Sequence, residues 1–411
     1  MSTQLAEINF MSPEVVENPF EANALARREA PVHRLPGTGI FMVSTYDLIA
    51  EACGRTEDFS NEFGAALQGR ALEDEEIKRV LAAGWPVVDT LLTADPPKHT
   101  RFRKLVNLAF SPVRVNKIEA HVGMIVDELI DGFIDRGRCE FVREFGVPLP
   151  LTVISDQLGV PRSDMALFKE WSDAFADRLG GMLTRDEELV CAHKVVAFQH
   201  YMRARLDERR GNPRDDLLSD LVNARVDGER ELDTAELLSM VQQFLVAGNE
   251  TTTNSLAGGV LLLIQNPAEL AKITANPELV KNMVEEVLRL ETPTNSMWRI
   301  VKRDAELGGV AIPAGSTLLL RYGSGNRDAA KFPDPDRFDV ARKNAPMHLA
   351  FGRGTHSCIG AMLSRKEMNV AFRRLTARLK NLRLAPHNDL VHHNNLLLRG
   401  LKSLHIEFDR A

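Results

Sequence analysis

Apolar residues recur at helical spacing through most of this chain, and strand patterns appear only in short stretches near its two ends. Val32–Arg34 and Ile40–Val43 flank Pro36-Gly37-Thr38-Gly39, which predicts two strands around a turn. Helical periodicity follows over 46–53, 65–83, 98–110, 113–136, 142–157, 163–179 and 186–210. Asp207-Glu208-Arg209-Arg210-Gly211-Asn212-Pro213 closes the last of these with basic residues, then Gly and Pro, as helix C-termini prefer. No Gly/Ser-rich or Pro-rich linker divides the sequence, and no segment repeats. The pattern predicts one large, mainly α domain over residues 1–411 with a minor β portion, roughly 30–60, 295–325 and 380–411.

The most informative stretch is 233–264. Asp233 is a fitting N-cap with Glu236 three residues on, and Asn266-Pro267 marks the end. About 30 residues at 1.5 Å each make a rod of roughly 45 Å. Between Leu237 and Ile264 only Glu250 is charged, which predicts a helix buried nearly all round. Gly248-Asn249-Glu250-Thr251-Thr252-Thr253-Asn254-Ser255 interrupts it with poor helix formers, whose side chains compete for backbone hydrogen bonds. Local widening or a kink is expected there. A second helix runs from Pro277 to Leu290 behind Asn276 as N-cap, with Glu286 and Arg289 one turn apart on one face, placed to pair.

Composition narrows the function classes. The chain is 44% hydrophobic and 26% charged, which excludes a disordered or low-complexity protein. Lys and Arg total 51 against 57 Asp and Glu, a net charge of −6, so no nucleic-acid partner is expected. Cys53, Cys139, Cys191 and Cys358 lie far apart and form no CxxC pair, which points to a reducing compartment. Met1 to Phe20 has neither the basic start nor the apolar core of a secretory signal. The longest apolar run, Leu256 to Ile264, is far short of a membrane span. A cytoplasmic protein without membrane insertion is expected.

Phe351-Gly352-Arg353-Gly354-Thr355-His356-Ser357-Cys358-Ile359-Gly360 precedes a long helix that runs to about Leu379. The glycines make a tight loop, and Gly360 permits close approach of something flat. Cys358 stands at a helix N-terminus, where the dipole and unpaired N–H groups favour a thiolate. Such a thiolate serves as nucleophile or metal ligand. A zinc site is disfavoured, because no second pair of ligands is evident.

This loop resembles the haem-binding signature of the cytochrome P450 family, Phe-Gly-x-Gly-x-His-x-Cys-x-Gly, at all six specified positions. Ala247-Gly248-Asn249-Glu250-Thr251-Thr252 is similar to the family's oxygen-activation motif, and Glu286-Val287-Leu288-Arg289 to its Glu-x-x-Arg motif. Phe332-Pro333-Asp334-Pro335-Asp336-Arg337-Phe338 resembles the loop whose arginine completes a triad with that pair, and His99-Thr100-Arg101-Phe102-Arg103 the helix that binds haem propionates. The resemblance covers nearly the whole chain. Ser364-Arg365-Lys366-Glu367 departs from the usual Ala-Arg-x-Glu.

The resemblance implies the P450 fold, with a long central helix over a haem b (iron protoporphyrin IX) and a cysteine-ligand loop beneath it. Cys358 becomes the axial ligand of the iron. Phe351, Gly352, Ile359 and Gly360 shape the loop, while His99, Arg103, Arg299 and His356 hold the propionates. Ala247 and Gly248 lie against the cofactor. Glu250 and Thr251 are the proton-handling acid–alcohol pair, and Glu286, Arg289 and Arg337 the structural triad. Gln243, Val246 and Asn295 are the candidate substrate contacts, in a pocket suited to a terpenoid, steroid or alkyl-aromatic molecule. No basic clamp for a carboxylate substrate is evident. The expected activity is insertion of one oxygen atom of O2, with electrons from a ferredoxin and its NAD(P)H reductase, docked by charge near Arg101, Lys104, Arg353, Arg365 and Lys366. The alternative is a haem-binding sensor or ligand carrier without turnover, which has no need of the Glu250–Thr251 pair.

Overall fold

The computed structural model describes residues 3–64, 73–107, 109–180 and 183–411. Its contacts resolve two compact units. The first comprises Met1–Ser60, Glu119–Leu149 and Thr251–Ala411, the second Asn61–Ile118 and Pro150–Glu250. The helices Pro112–Asp131, Pro148–Gln157 and Thr234–Gln265 each contribute residues to both.

Among the described residues every strand falls in the first unit. These are β1 (Val32–Arg34), β2 (Ile40–Val43), β3 (Phe59–Ser60), β4 (Arg138–Glu140), β5 (Met297–Val301), β6 (Ala305–Leu307), β7 (Val310–Ile312), β8 (Thr317–Leu320), β9 (Leu379–Leu384) and β10 (His405–Arg410). The expected hairpin forms, with Val32 opposite Val43. The main sheet has the order β1-β2-β8-β5-β3, and β2 runs parallel to β8. A second sheet, β4-β10-β9, recruits β4 from a stretch where no strand was expected. Alternation along β2 and β8 buries Val43, Leu318 and Leu320 with Tyr46, Ile49, Phe59, Phe332 and Leu349. Each large apolar side chain so enclosed contributes about 1.5–3 kcal/mol.

The central helix spans Thr234–Gln265 without interruption. Asp233 and Glu236 close the anticipated capping box, the Glu236 N–H donating to Asp233 Oδ1 at 2.9 Å and the Asp233 N–H to Glu236 Oε2 at 3.0 Å. The stretch 248–255, where local widening or a kink is expected, stays helical throughout. The polar side chains there bond mostly to neighbouring elements, so they do not compete for the helix's own ladder. In the first unit its C-terminal half lies against the helix Ala361–Arg378. A Cβ at Gly259 would stand 2.4 Å from the Phe372 ring, so only glycine allows that approach.

The second unit is helical. The helix Met165–Gly180 turns Phe168, Trp171 and Phe175, at i, i+3 and i+7, toward Phe198 and Tyr201 of the helix Arg185–Gly211, with ring centroids 5.2–6.2 Å apart. Thr184 and Glu187 cap the latter helix reciprocally. Of the helix expected over 65–83, Glu75–Leu81 is seen and 65–72 lie outside the described residues. The stretch 142–157 is divided: a π-turn, Val142–Gly146, precedes Pro148–Gln157.

Candidate active site

The cysteine loop occupies the first unit. Residues Gly354–His356 form a 3-10 turn, and Cys358 follows two residues later, exposed, just ahead of the helix Ala361–Arg378. The Cys358 N–H donates to the Phe351 carbonyl at 2.9 Å, which closes the loop on itself. Gly354 takes φ +69°, and a Cβ there would lie 2.8 Å from the Cys53 carbonyl, so this position admits only glycine. Gly352 also takes positive φ. At Gly360 the nearest atom to an added Cβ is Cys358 Sγ at 3.9 Å, so the missing side chain keeps the space beside the sulfur clear. Phe351 packs against the Arg365 guanidinium, 4.5 Å from its ring centre.

Arg299, on β5, is 2% exposed. Its Nη1 donates to the Trp298 carbonyl at 2.7 Å, and its Nη2 lies 3.9 Å from the weak acceptor Cys53 Sγ. No described carboxylate pairs with it. Burial raises the pKa of the adjacent Tyr322, so that group stays a neutral phenol. A buried guanidinium without a carboxylate needs an anion. This cation, a half-buried His356, the exposed thiol and the clear face at Gly360 fit a flat cofactor with an iron and carboxylate arms.

Glu286 and Arg289 are fully buried and pair twice, at 2.7 and 2.8 Å. The third member of their network is Arg342, whose Nε donates to Glu286 Oε1 at 2.9 Å. Arg337, the expected member, is exposed and supplies only its carbonyl, to Arg289 and Arg342. The loop turns the Arg337 side chain to solvent and brings Arg342 back over the pair. Sequence reasoning also missed Glu285, which binds Arg365 through both oxygens and His348 at 3.2 Å. Those bonds outweigh burial and hold Glu285 at about 2.

Thr251 begins the first unit's share of the central helix and is half-buried. Ser255 Oγ donates to its carbonyl at 2.8 Å. Its neighbours face elsewhere: Thr252 meets Ser364 at 3.2 Å, and Thr253 donates to the Gly146 carbonyl at 3.0 Å. Asn295, another expected contact, is buried ahead of β5.

In the second unit, Glu250 faces the helix Met165–Gly180. Lys169 Nζ is 3.6 Å from its carboxylate, and Asn249 Nδ2 lies 3.3 Å from Glu250 Oε1 while also reaching Ser172. Burial lifts the Glu250 carboxyl to about 7; the Lys169 charge opposes this and Asp173 adds to it. The group thus sits where it both holds and releases a proton near neutrality. Ala247 is exposed, Val246 and Gly248 half-buried. Gln243 is not a free polar handle: its Nε2 donates to Thr90 Oγ1 at 2.7 Å and its Oε1 accepts the Leu92 N–H at 3.1 Å. His99 is buried and Arg103 half-buried, four residues apart on the helix Lys98–Asn107. Burial, then the Arg103 charge, lowers the His99 pKa and favours the neutral imidazole.

A mainly helical fold with a small mixed sheet and a central helix, with a cysteine loop and a buried arginine without a carboxylate in one unit, fits a haem-thiolate protein. The Cytochrome P450 family profile matches residues 154–401. The cytochrome P450 monooxygenase PikC of Streptomyces venezuelae is 35% identical over 417 aligned residues, covering 100% of this chain and 96% of the relative. A steroid C26-monooxygenase of Mycobacterium tuberculosis is 36% identical, with 87% and 91% covered. Among solved structures, cytochrome P450 CYP109Q5 from Chondromyces apiculatus superposes with a TM-score of 0.87 at 36% identity, covering 99% of each chain. The chain belongs to the cytochrome P450 family, and its relatives are monooxygenases that use haem. No helix among the described residues is long and apolar enough to cross a membrane.

Proposed function

We propose that residues 1–411 work as one catalytic domain, a cytoplasmic monooxygenase that holds haem b and inserts one oxygen atom of O2 into a lipophilic small molecule of terpenoid, steroid or alkyl-aromatic type. Electrons come from a ferredoxin served by an NAD(P)H reductase. The observation that carries this reading is Cys358 exposed at the head of its helix, in the same unit as the unpaired Arg299. The substrate class is supported by the steroid named for the mycobacterial relative.

Bound haem supplies the activation of O2. Cys358 would ligate the iron, with the helix N-terminus behind it stabilising its negative charge. Arg299 and His356 in the first unit, and His99 and Arg103 in the second, are the residues that would hold its propionates. Glu250 holds a proton at its carboxyl near neutral pH, and with the Thr251 hydroxyl next along the helix it would supply protons to the site. The test is the spectrum of the reduced protein under carbon monoxide. Thiolate ligation gives a strongly red-shifted Soret band, and Cys358→Ala abolishes it, whereas Ala at Cys53, Cys139 or Cys191 leaves it in place. A band at the position of histidine-ligated haem overturns the reading.

A further inference from the structure

Residues 348–353, between the 3-10 turns Ala345–Met347 and Gly354–His356, belong to no helix or strand, so their backbone is fixed by other groups. The Leu349 N–H donates to Asn326 Oδ1 at 2.6 Å, and the Ala350 N–H to His348 Nδ1 at 3.1 Å. The second bond settles the state of the imidazole. A ring nitrogen that accepts carries no proton, so the proton is on Nε2, which donates to Glu285 Oε2 at 3.2 Å. Burial lowers the His348 pKa against the opposing pull of Glu285, in keeping with a neutral ring. Both side chains are buried.

Glu285 lies on the helix Val280–Glu291, and its two oxygens accept from Arg365 Nε at 2.7 Å and Nη2 at 2.8 Å, on the helix Ala361–Arg378. The same guanidinium covers the Phe351 ring, 4.5 Å from its centre, and the His348 ring stands 5.5 Å from that of Phe351, tilted by 50°. Phe351 is thus gripped by two members of one network, and its carbonyl takes the Cys358 N–H at 2.9 Å. Glu286, next in sequence, serves the separate network with Arg289 and Arg342. Every residue of this set lies in the first unit. A forked Arg–carboxylate pair with a neutral imidazole on the same carboxylate makes a rigid corner, because each group leaves the others one orientation.

We infer that Glu285, His348 and Arg365 are positioning residues for the cysteine ligand: they fix the backbone at 350–351 and the Phe351 ring, and through the Phe351 carbonyl the placement of Cys358. The Arg365 charge is part of the device, since Glu285 neutralises it beside the loop. An uncompensated cation there favours the reduced, more negative form of a haem held by Cys358. The inference rests on the reading of Cys358 as the haem ligand.

The test is made on the haem-loaded protein, by hydrogen exchange of the 349–358 amides, the carbon monoxide band of the reduced form and the reduction potential. His348→Leu removes both ring bonds and is expected to speed exchange of the Ala350 and Cys358 amides about tenfold. It is also expected to move at least about half of the band from the thiolate position to that of histidine-ligated haem. His348→Asn is the rescue, because an Asn side chain accepts from the N–H two residues on; exchange is expected within about twofold of wild type, with most of the band at the thiolate position. Glu285→Gln keeps the shape of the carboxylate without its charge, and is expected to raise the reduced-to-oxidised ratio at a fixed potential about threefold. Wild-type exchange and band in His348→Leu, no recovery in His348→Asn, or an unchanged potential in Glu285→Gln each overturns the proposal. If His348→Leu does not fold, His348→Asn and Glu285→Gln decide it by the same criteria. A histidine-type band in the wild type fails the reading of Cys358 instead, and the exchange rates, which need no haem signal, still test the positioning.

Discussion

Glu250 carries a carboxyl that burial holds at about 7, against an ordinary value of 4.5. Between those values the folded chain keeps a proton that the unfolded chain has released. The stability this contributes is full below 4.5 and is lost as pH rises through 7, a change of roughly 3 kcal/mol. Glu250→Gln therefore flattens the fall in unfolding free energy between pH 5 and 7.5, measured by urea titration; a profile parallel to that of the wild type counts against the assignment. The same variant slows NADH consumption, because proton supply is interrupted. Thr251→Ala acts differently: it keeps haem and much of the NADH oxidation but releases hydrogen peroxide in place of product. Substitutions at Thr252 and Thr253 leave that ratio near wild type, since their hydroxyls bond to Ser364 and Gly146. Product and peroxide formed per NADH decide the matter. The role of Thr251 is excluded if its removal leaves coupling unchanged.

The helix Val280–Glu291 displayed its pair openly in the sequence, because residues three apart on a helix face the same way wherever the helix is placed. The partner of that pair was not legible. Arg337 lies in the loop and Arg342 five residues beyond it, and only the path of the backbone decides which guanidinium reaches Glu286. The consequence is measurable. Arg342→Ala leaves the Glu286 charge buried with half its cationic support and is expected to cost about 3–5 kcal/mol in chemical unfolding. Arg337→Ala, on the surface, is expected to stay within about 0.5 kcal/mol. Equal effects would return Arg337 to the network. The central helix behaves similarly: its cap and length follow from local pattern, but the bonds of its polar side chains over 248–255 depend on acceptors and donors from other elements.

At the scale of the molecule, the charges proposed to dock a ferredoxin are largely occupied within the protein. Arg365 binds Glu285 and Lys366 binds Glu119, while Arg353 is exposed, 5.5 Å from the Tyr46 ring centre and without a carboxylate partner among the described residues. Arg101 binds Glu236 and Lys104 is exposed with Glu229 at 3.9 Å, so within the cysteine loop and its helix Arg353 is the residue of this set expected to steer the partner. Arg353→Glu should slow reduction by a ferredoxin about tenfold at low salt, with the difference shrinking as ionic strength rises, followed by stopped-flow absorbance. An equal rate at low salt would remove Arg353 from docking. The sequence by itself determined what is local: the β1–β2 hairpin, the capped central helix, the glycines and cysteine of the ligand loop, and the Glu286–Arg289 pair. Those features depend on residues within a turn or two of one another. Only the tertiary structure decided that Arg342 joins Glu286 across 56 residues, that Gln243 holds the 90–92 segment, and that Glu285 gathers Arg365 and His348. Burial and ion pairing are sums over neighbours brought from distant parts of the chain, so no local pattern contains them.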